Sequence, residues 1–236
     1  MFGTLTFNLN IENIGVPRGV ILYKNKLAIT VNSIYRHYVV NDIIINMDNT
    51  VGRLTQIQRS VIIGSLLGDG YVRILKGRKN AFLEINHSIK MKNYVDWKYE
   101  ILKSIVISPP KLRKGNGNRV AYRFFTRQHP EITELFKLFY KNGKKVIPDF
   151  KLDPISLAIW YMDDGSKCGT SNYYLNTQQF TIEDQQKLMN QLKLFGIESK
   201  LNKDKEYWRI RMIMSSVPTF KELIQENIIP SLQYKI

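Results

Sequence analysis

Two stretches carry the reading of this chain: Ile62-Ile63-Gly64-Ser65-Leu66-Leu67-Gly68-Asp69-Gly70 and Leu157-Ala158-Ile159-Trp160-Tyr161-Met162-Asp163-Asp164-Gly165. Each is an apolar run that stops abruptly at Asp-Gly, the pattern of a buried helix ended by a turn. Thr55 stands where it can cap the first helix and Pro154 opens the second. The two motif aspartates, Asp69 and Asp164, are 95 residues apart.

The flanking sequence repeats with the same period. After Gly70, strand-like runs over 71–75 and 81–88 are joined by the basic turn Lys76-Gly77-Arg78-Lys79-Asn80. A helix is predicted over about 90–105, then Pro109-Pro110, a basic loop over 111–118, a strand over 119–126 and a helix over 130–140. After Gly165 come a strand over 173–180 and a helix from Thr181 to about Phe195, with Thr181 and Asp184 as its capping pair. A hairpin over 197–202 and 206–214 and a last helix over 217–227 complete the second unit. The expected fold is α+β, duplicated about a pseudo-twofold axis. Residues 1–52 form an N-terminal extension, 53–150 a first repeat and 151–236 a second. The extension is punctuated by Asn, Gly and Pro, with β-prone runs over 19–23, 27–31 and 38–45.

Composition narrows the function. Thirty-five Lys and Arg against 20 Asp and Glu leave a formal charge of +15, which points to a polyanionic partner, above all nucleic acid. The charge is not evenly spread. Residues 1–52 hold four basic and three acidic groups, so +14 falls on the remainder. The single cysteine, Cys168, excludes an intramolecular disulfide and a Cys-cluster zinc site. No apolar run approaches the roughly 20 residues of a membrane-spanning helix, so no membrane partner is expected. A count of 29 Ile, 23 Lys and 19 Asn against 4 Ala reflects AT-rich codons. An organelle, mitochondrion or chloroplast, or else the cytoplasm of an AT-rich microbe, is the expected setting.

The two nonamers resemble the paired signature helices of the LAGLIDADG homing endonucleases, in the single-chain form of the I-SceI type. Leu67-Gly68-Asp69-Gly70-Tyr71, Ser108-Pro109-Pro110, Lys144-Lys145-Val146-Ile147-Pro148, Trp160 to Lys167 and Leu175-Asn176-Thr177-Gln178 extend the likeness over residues 54–236. The resemblance implies αββαββα-like repeats whose antiparallel sheets form a saddle, with the helices on one face. It implies site-specific cleavage of both strands of a long, asymmetric double-stranded DNA target by a monomer, leaving 3′ overhangs, from a gene inside a self-splicing intron. It also implies Mg²⁺, with Mn²⁺ expected to substitute. The metal ligands would be Asp69 and Asp164, with the backbone carbonyls of Gly68 and Asp163 facing the metal. One lysine serves each site, at Lys145 and Lys235. Asp163 stands where many family members have a small residue, which suggests a supporting or packing role for its side chain. The alternative is an RNA maturase on the same fold that assists splicing of its host group I intron, with the intron RNA as partner.

Elementary electrostatics agrees with the likeness. A carboxylate repels phosphate, and at a helix C-terminus it also meets the negative end of the dipole. Two such carboxylates on one basic body therefore call for a cation, and hard oxygen ligands suit Mg²⁺. Alternation along the strands supplies DNA readers. Arg209 and Arg211 oppose Trp208, Ile210 and Met212; Arg119 and Arg123 alternate with Tyr122 and Phe124; Glu84 and Asn86 alternate with Leu83 and Ile85. Asn176 and Gln178 join them as candidate base contacts. Arg78, Lys79, Lys111, Arg113 and Lys114 in the basic turns are the candidate phosphate contacts, and Arg73, Lys167 and Lys203 are further candidate DNA contacts. The histidines His37, His87 and His129 show no ligand spacing, and no catalytic role is expected for them. Gly64 and Gly68 facing Ala158, Ile159 and Trp160 predict an asymmetric helix seam.

Overall fold

Thr55 starts the ordered body with a reciprocal cap. Its hydroxyl accepts from the Gln58 amide at 3.2 Å, while the Gln58 side chain accepts from the Thr55 amide at 3.1 Å. The computed structural model describes residues 21–23, 26–28, 52–115 and 117–236. Chain packing separates Met1–Asn49 from Thr50–Ile236. In the first unit β1 (Ile21–Tyr23) pairs antiparallel with β2 (Lys26–Ala28). The expected run over 38–45 lies outside the described residues.

The second unit holds the same order of elements twice. Helix α1 (Gln56–Leu67) is followed by β3 (Tyr71–Arg73), β4 (Phe82–Ser88), α2 (Lys92–Leu102), β5 (Lys111–Lys114), β6 (Val120–Phe125) and α3 (Pro130–Phe139). A short hairpin, β7 (Tyr140–Lys141) and β8 (Lys144–Lys145), then precedes α4 (Pro154–Asp164). Next come β9 (Gly165–Cys168), β10 (Asn172–Leu175), α5 (Ile182–Lys193), β11 (Ser199–Asp204), β12 (Tyr207–Met212) and α6 (Val217–Ile224). The two four-stranded antiparallel sheets have equivalent topologies, β3-β4-β6-β5 and β9-β10-β12-β11. This is the αββαββα duplication expected from the sequence.

At the centre α1 packs lengthwise on α4. Both helices are buried nearly all round, which is why neither shows an amphipathic stripe. Close approach comes from one side only. A Cβ on Gly64 would lie 2.6 Å from the Ser156 carbonyl oxygen, and one on Gly68 would lie 2.5 Å from the Asp163 Cβ. Two buried serines tie the opposite end of the seam: Ser60 donates to Asp153 at 2.9 Å and Ser156 donates to the Ser60 carbonyl at 3.1 Å. The inward rows of the sheets, Leu83 and Ile85 on β4 and Ile210 and Met212 on β12, join the same core as the helices.

Several elements depart from their sequence-based expectations. The basic loop over 111–118 begins as a strand, β5, because Lys111 to Lys114 find an open edge on β6. Strand β9 was not expected, and the strand expected over 173–180 ends at Leu175, so Asn176 and Gln178 lie beyond it. The β7–β8 hairpin was also unexpected. Its turn is Asn142-Gly143, with φ of 51° and 74°, the left-handed pair that a two-residue hairpin turn demands.

Candidate active site and nucleic-acid interface

Asp69 and Asp164 reach one cleft by different routes. Helix α1 ends where the Gly68 amide bonds back to the Gly64 and Ser65 carbonyls and the Gly70 amide bonds Ser65 at 2.7 Å, leaving Asp69 on an exposed turn. Asp164 is the last residue of α4, and its carbonyl accepts from the Asn176 amide at 3.0 Å. Both line a cavity of about 500 Å³ together with Gly68, Tyr71, Lys145, Asn176 and Gln178. Burial pushes the Asp164 carboxyl up to about 7; the negative charges of Asp69 and Asp163 push the same way, against Lys145 and Lys235.

The two lysines are placed alike. Lys145 Nζ donates to the Gly68 carbonyl at 2.6 Å. Lys235 Nζ donates to the Met162 carbonyl at 2.6 Å and to that of Gly165 at 3.1 Å. Each ammonium thus sits on the free carbonyls at the end of one central helix, where a cation is favoured. Burial lowers the pKa of both lysines, and the surrounding aspartates oppose that shift. The last turn is strapped down as well. Tyr161 Oη donates to the Lys235 carbonyl at 2.7 Å and Lys167 Nζ to that of Ile236 at 2.9 Å.

Asp163 differs from its neighbour. Its carboxylate is wholly buried, and the surface the residue does expose is backbone. Lys98 Nζ, itself buried, donates to Oδ1 at 2.8 Å and Oδ2 at 3.1 Å, and sits 4.3 Å from the Tyr94 ring centroid. Oδ2 also accepts from the Asp69 amide at 3.3 Å. His87, from the inward row of β4, lies between the aspartates, with Nδ1 3.5 Å from Asp69 Oδ2 and Nε2 3.8 Å from Asp163 Oδ1. Sequence reasoning missed His87 and Lys98. The available signal was polarity at inward positions: His87 follows Leu83 and Ile85 at strand spacing, and Lys98 is four residues from the buried Tyr94.

The donor set suits a divalent cation. The Asp69 and Asp164 carboxylates offer hard oxygens, and a buried carboxyl that resists ionisation gains most from a cation beside it. Asp69, His87 and Asp163 also bring ligand atoms within 4.8 Å of one another. The Asp163 carboxylate is at the same time paired with Lys98.

The candidate DNA contacts fall on the two sheets and their turns. Arg73, Glu84, Asn86 and Arg123 lie on β3, β4 and β6; Lys111, Arg113 and Lys114 lie on β5; Arg78, Lys79 and Arg119 lie in exposed turns. Lys167 is on β9, Lys203 on β11, and Arg209 and Arg211 on β12. The arginines are pre-set by neighbours. Glu84, nearly buried, receives Arg73 at 3.3 Å and Arg123 at 3.4 Å. Its oxygens thus serve two guanidiniums rather than facing outward. Arg209 donates to Asn176 at 3.2 Å and its guanidinium carbon lies 4.1 Å from the Tyr174 ring centroid. Arg211 bonds Asn172, and Gln178 donates to Asp204 at 2.8 Å.

Comparison with known proteins agrees with this geometry. The family model for the LAGLIDADG DNA endonuclease family matches residues 59–220. A protein named "Probable intron-encoded endonuclease 1" from Wickerhamomyces canadensis is 34% identical over 198 residues, covering 78% of this chain and 85% of that protein. "Cytochrome b mRNA maturase bI2" from Debaryomyces hansenii is 31% identical over 189 residues, covering 75% and 72%. Among solved structures, the homing endonuclease I-WcaI bound to its DNA recognition sequence superposes with a TM-score of 0.71 at 31% identity, covering 77% of this chain and 86% of that one. With two motif helices, two matched sheets and this extent of similarity, the chain belongs to the LAGLIDADG DNA endonuclease family.

Proposed function

We propose that this chain is a monomeric homing endonuclease that binds one long, asymmetric duplex and hydrolyses both strands with Mg²⁺, Mn²⁺ substituting, leaving 3′ overhangs. One observation carries the reading: two helix-end carboxylates share a cleft, and the end of each central helix has a carbonyl bound by a lysine ammonium. Asp69 and Asp164, with the backbone carbonyls of Gly68 and Asp163, would hold a divalent cation, which when bound would supply water activation and charge stabilisation at the leaving oxygen. Lys145 and Lys235 place an ammonium at the end of each central helix, from which it would stabilise negative charge on the scissile phosphate. Their lowered proton affinity eases transfer of a proton at Nζ. Arg73, Arg123, Arg209 and Arg211 lie on strands that suit the major groove.

The test is cleavage of a randomised duplex library with Mg²⁺, with Ca²⁺ and metal-free controls, sequencing the ends. Discrete Mg²⁺-dependent cuts with 3′ overhangs at one long motif are expected, and Asp69→Asn or Asp164→Asn should abolish cutting while sparing binding. A second reading follows from the maturase name of the Debaryomyces relative: assistance to splicing of a host group I intron, with the intron RNA as partner. Failure to cut under any condition, joined to tight binding of structured intron RNA, would favour it. The Ile-, Lys- and Asn-rich composition supports a gene in an AT-rich organelle or microbe.

A further inference from the structure

The two catalytic carboxylates are not supported equally. Asp69 stands on a turn with half its side chain exposed (51%), where its rotamer is free unless something holds it. Three buried groups from three elements converge behind it: His87 from β4, Lys98 from α2 and Asp163 from α4. His87 is 5% exposed at its side chain, and its Nε2 has no hydrogen-bond partner among the described residues. That is a costly position for an imidazole unless it serves the carboxylates on either side. Among the described residues no hydrogen bond reaches either carboxylate, but only Asp69 has a buried side chain within ion-pair distance, whereas Asp164 is set by the backbone at the end of α4. We propose that His87, backed by the Asp163–Lys98 ion pair, is a positioning residue for Asp69, with no equivalent serving Asp164 among the described residues.

This role for His87 rests on the endonuclease reading and adds to it. Lys98 pairs with the buried Asp163 carboxylate, whose Oδ2 also accepts from the Asp69 amide. His87 spans from that anchored carboxylate to Asp69 Oδ2 and so restricts where the Asp69 side chain points. Removing the span leaves the helix seam and the DNA-facing strands intact but lets the carboxylate drift. A misplacement of about 1 Å in a reacting group costs on the order of 10²-fold in rate. The consequence is local: the strand cut at the centre built on Asp69 should suffer more than the strand cut at the other.

The experiment compares His87→Asn, His87→Gln and His87→Ala in the full chain. Asn places an amide near the Nδ1 position and retains a donor toward Asp69; Gln places its amide near Nε2, toward Asp163. Each strand of the target is end-labelled separately, and Ca²⁺ binding to the protein–DNA complex is followed by calorimetry without turnover. Expected are a strand-selective slowing on the order of 10²-fold and weaker Ca²⁺ binding for His87→Gln, with His87→Asn near wild type on both measures and target affinity unchanged throughout. Equal slowing of both strands, or Asn and Gln variants that cannot be told apart, would overturn the proposal. Should His87→Ala fail to fold, the Asn–Gln contrast decides alone. If the wild-type chain cuts no DNA, the endonuclease reading fails, while the Ca²⁺ titrations of the same variants still judge the brace: weaker binding in Gln than in Asn sustains it, and equal binding overturns it.

Discussion

Lys145 and Gly68, on separate elements, are joined by a 2.6 Å hydrogen bond from Nζ to the carbonyl oxygen, one residue before the cleft-lining Asp69. Lys235 repeats the arrangement at the end of the other central helix, through Met162 and Gly165. The lysines therefore belong to the site by geometry as well as by charge.

Replacing either lysine by methionine keeps the aliphatic stem and removes the ammonium. Lys145→Met and Lys235→Met should each lower the single-turnover cleavage rate by about 10²–10⁴-fold, the range for loss of one positioned acid or base. Target affinity should hardly change, because neither residue lies on the two four-stranded sheets that carry the candidate DNA contacts. Parallel binding isotherms and quenched-flow cleavage measure the two effects separately.

The raised pKa of Asp164 has a defined sign for stability in metal-free protein. The unfolded carboxyl titrates near about 3.9, and burial moves the folded one up to about 7, with Asp69 and Asp163 adding to the shift. Between those values the folded chain retains a proton that the unfolded chain has lost. Stability is therefore full below the lower value and falls as pH rises through the upper, with a slope approaching about 1.4 kcal/mol per pH unit. Urea titrations in EDTA from pH 4 to 8 test this: Asp164→Asn should flatten the profile, and Mg²⁺ should restore stability at the alkaline end.

The Lys98–Asp163 pair is buried on both sides, so breaking it strands a charge. Lys98→Met should cost about 3–5 kcal/mol. The double variant Lys98→Met with Asp163→Asn should recover much of that loss, because no uncompensated ion remains. Chemical denaturation of the four proteins of the cycle gives the coupling. Equal stability of the single and double variants would contradict the pairing.

Target binding should weaken steeply with salt, with a log–log slope of about −0.9 per phosphate neutralised. Lys114→Ala, on the exposed edge strand β5, should make the slope shallower by about 0.9. Lys193→Ala, on helix α5, should leave it unchanged. Fluorescence anisotropy over a salt series distinguishes these outcomes.

Much of the fold was legible for a simple reason. A helix buried on every side must be apolar on every side, so α1 and α4 announce themselves, and the Asp-Gly at each end fixes where they stop. Strand β12 shows itself by Trp208, Ile210 and Met212 alternating with arginine. Strand β9 has no such pattern: Gly-Ser-Lys-Cys becomes a strand because β10 offers it a partner. The β7–β8 hairpin is two residues per strand, too short for alternation, and only Asn142-Gly143 hinted at it. The aspartates and lysines of the cleft came through the family likeness. His87 and Lys98 did not, because their roles arise from contacts across the fold: Lys98 lies 65 residues from Asp163, and no local period links them.

The one-sided helix seam means that the two halves are not interchangeable parts. A chain assembled from two first repeats would set Gly64 and Gly68 against their own copies and leave voids between the helices. Two second repeats would force Ile159 onto Ile159 and bury two Asp163 carboxylates with no Lys98 for either. Any hybrid nuclease made by exchanging halves must therefore carry the glycine face, its bulky counterpart and the lysine that neutralises it as one matched set.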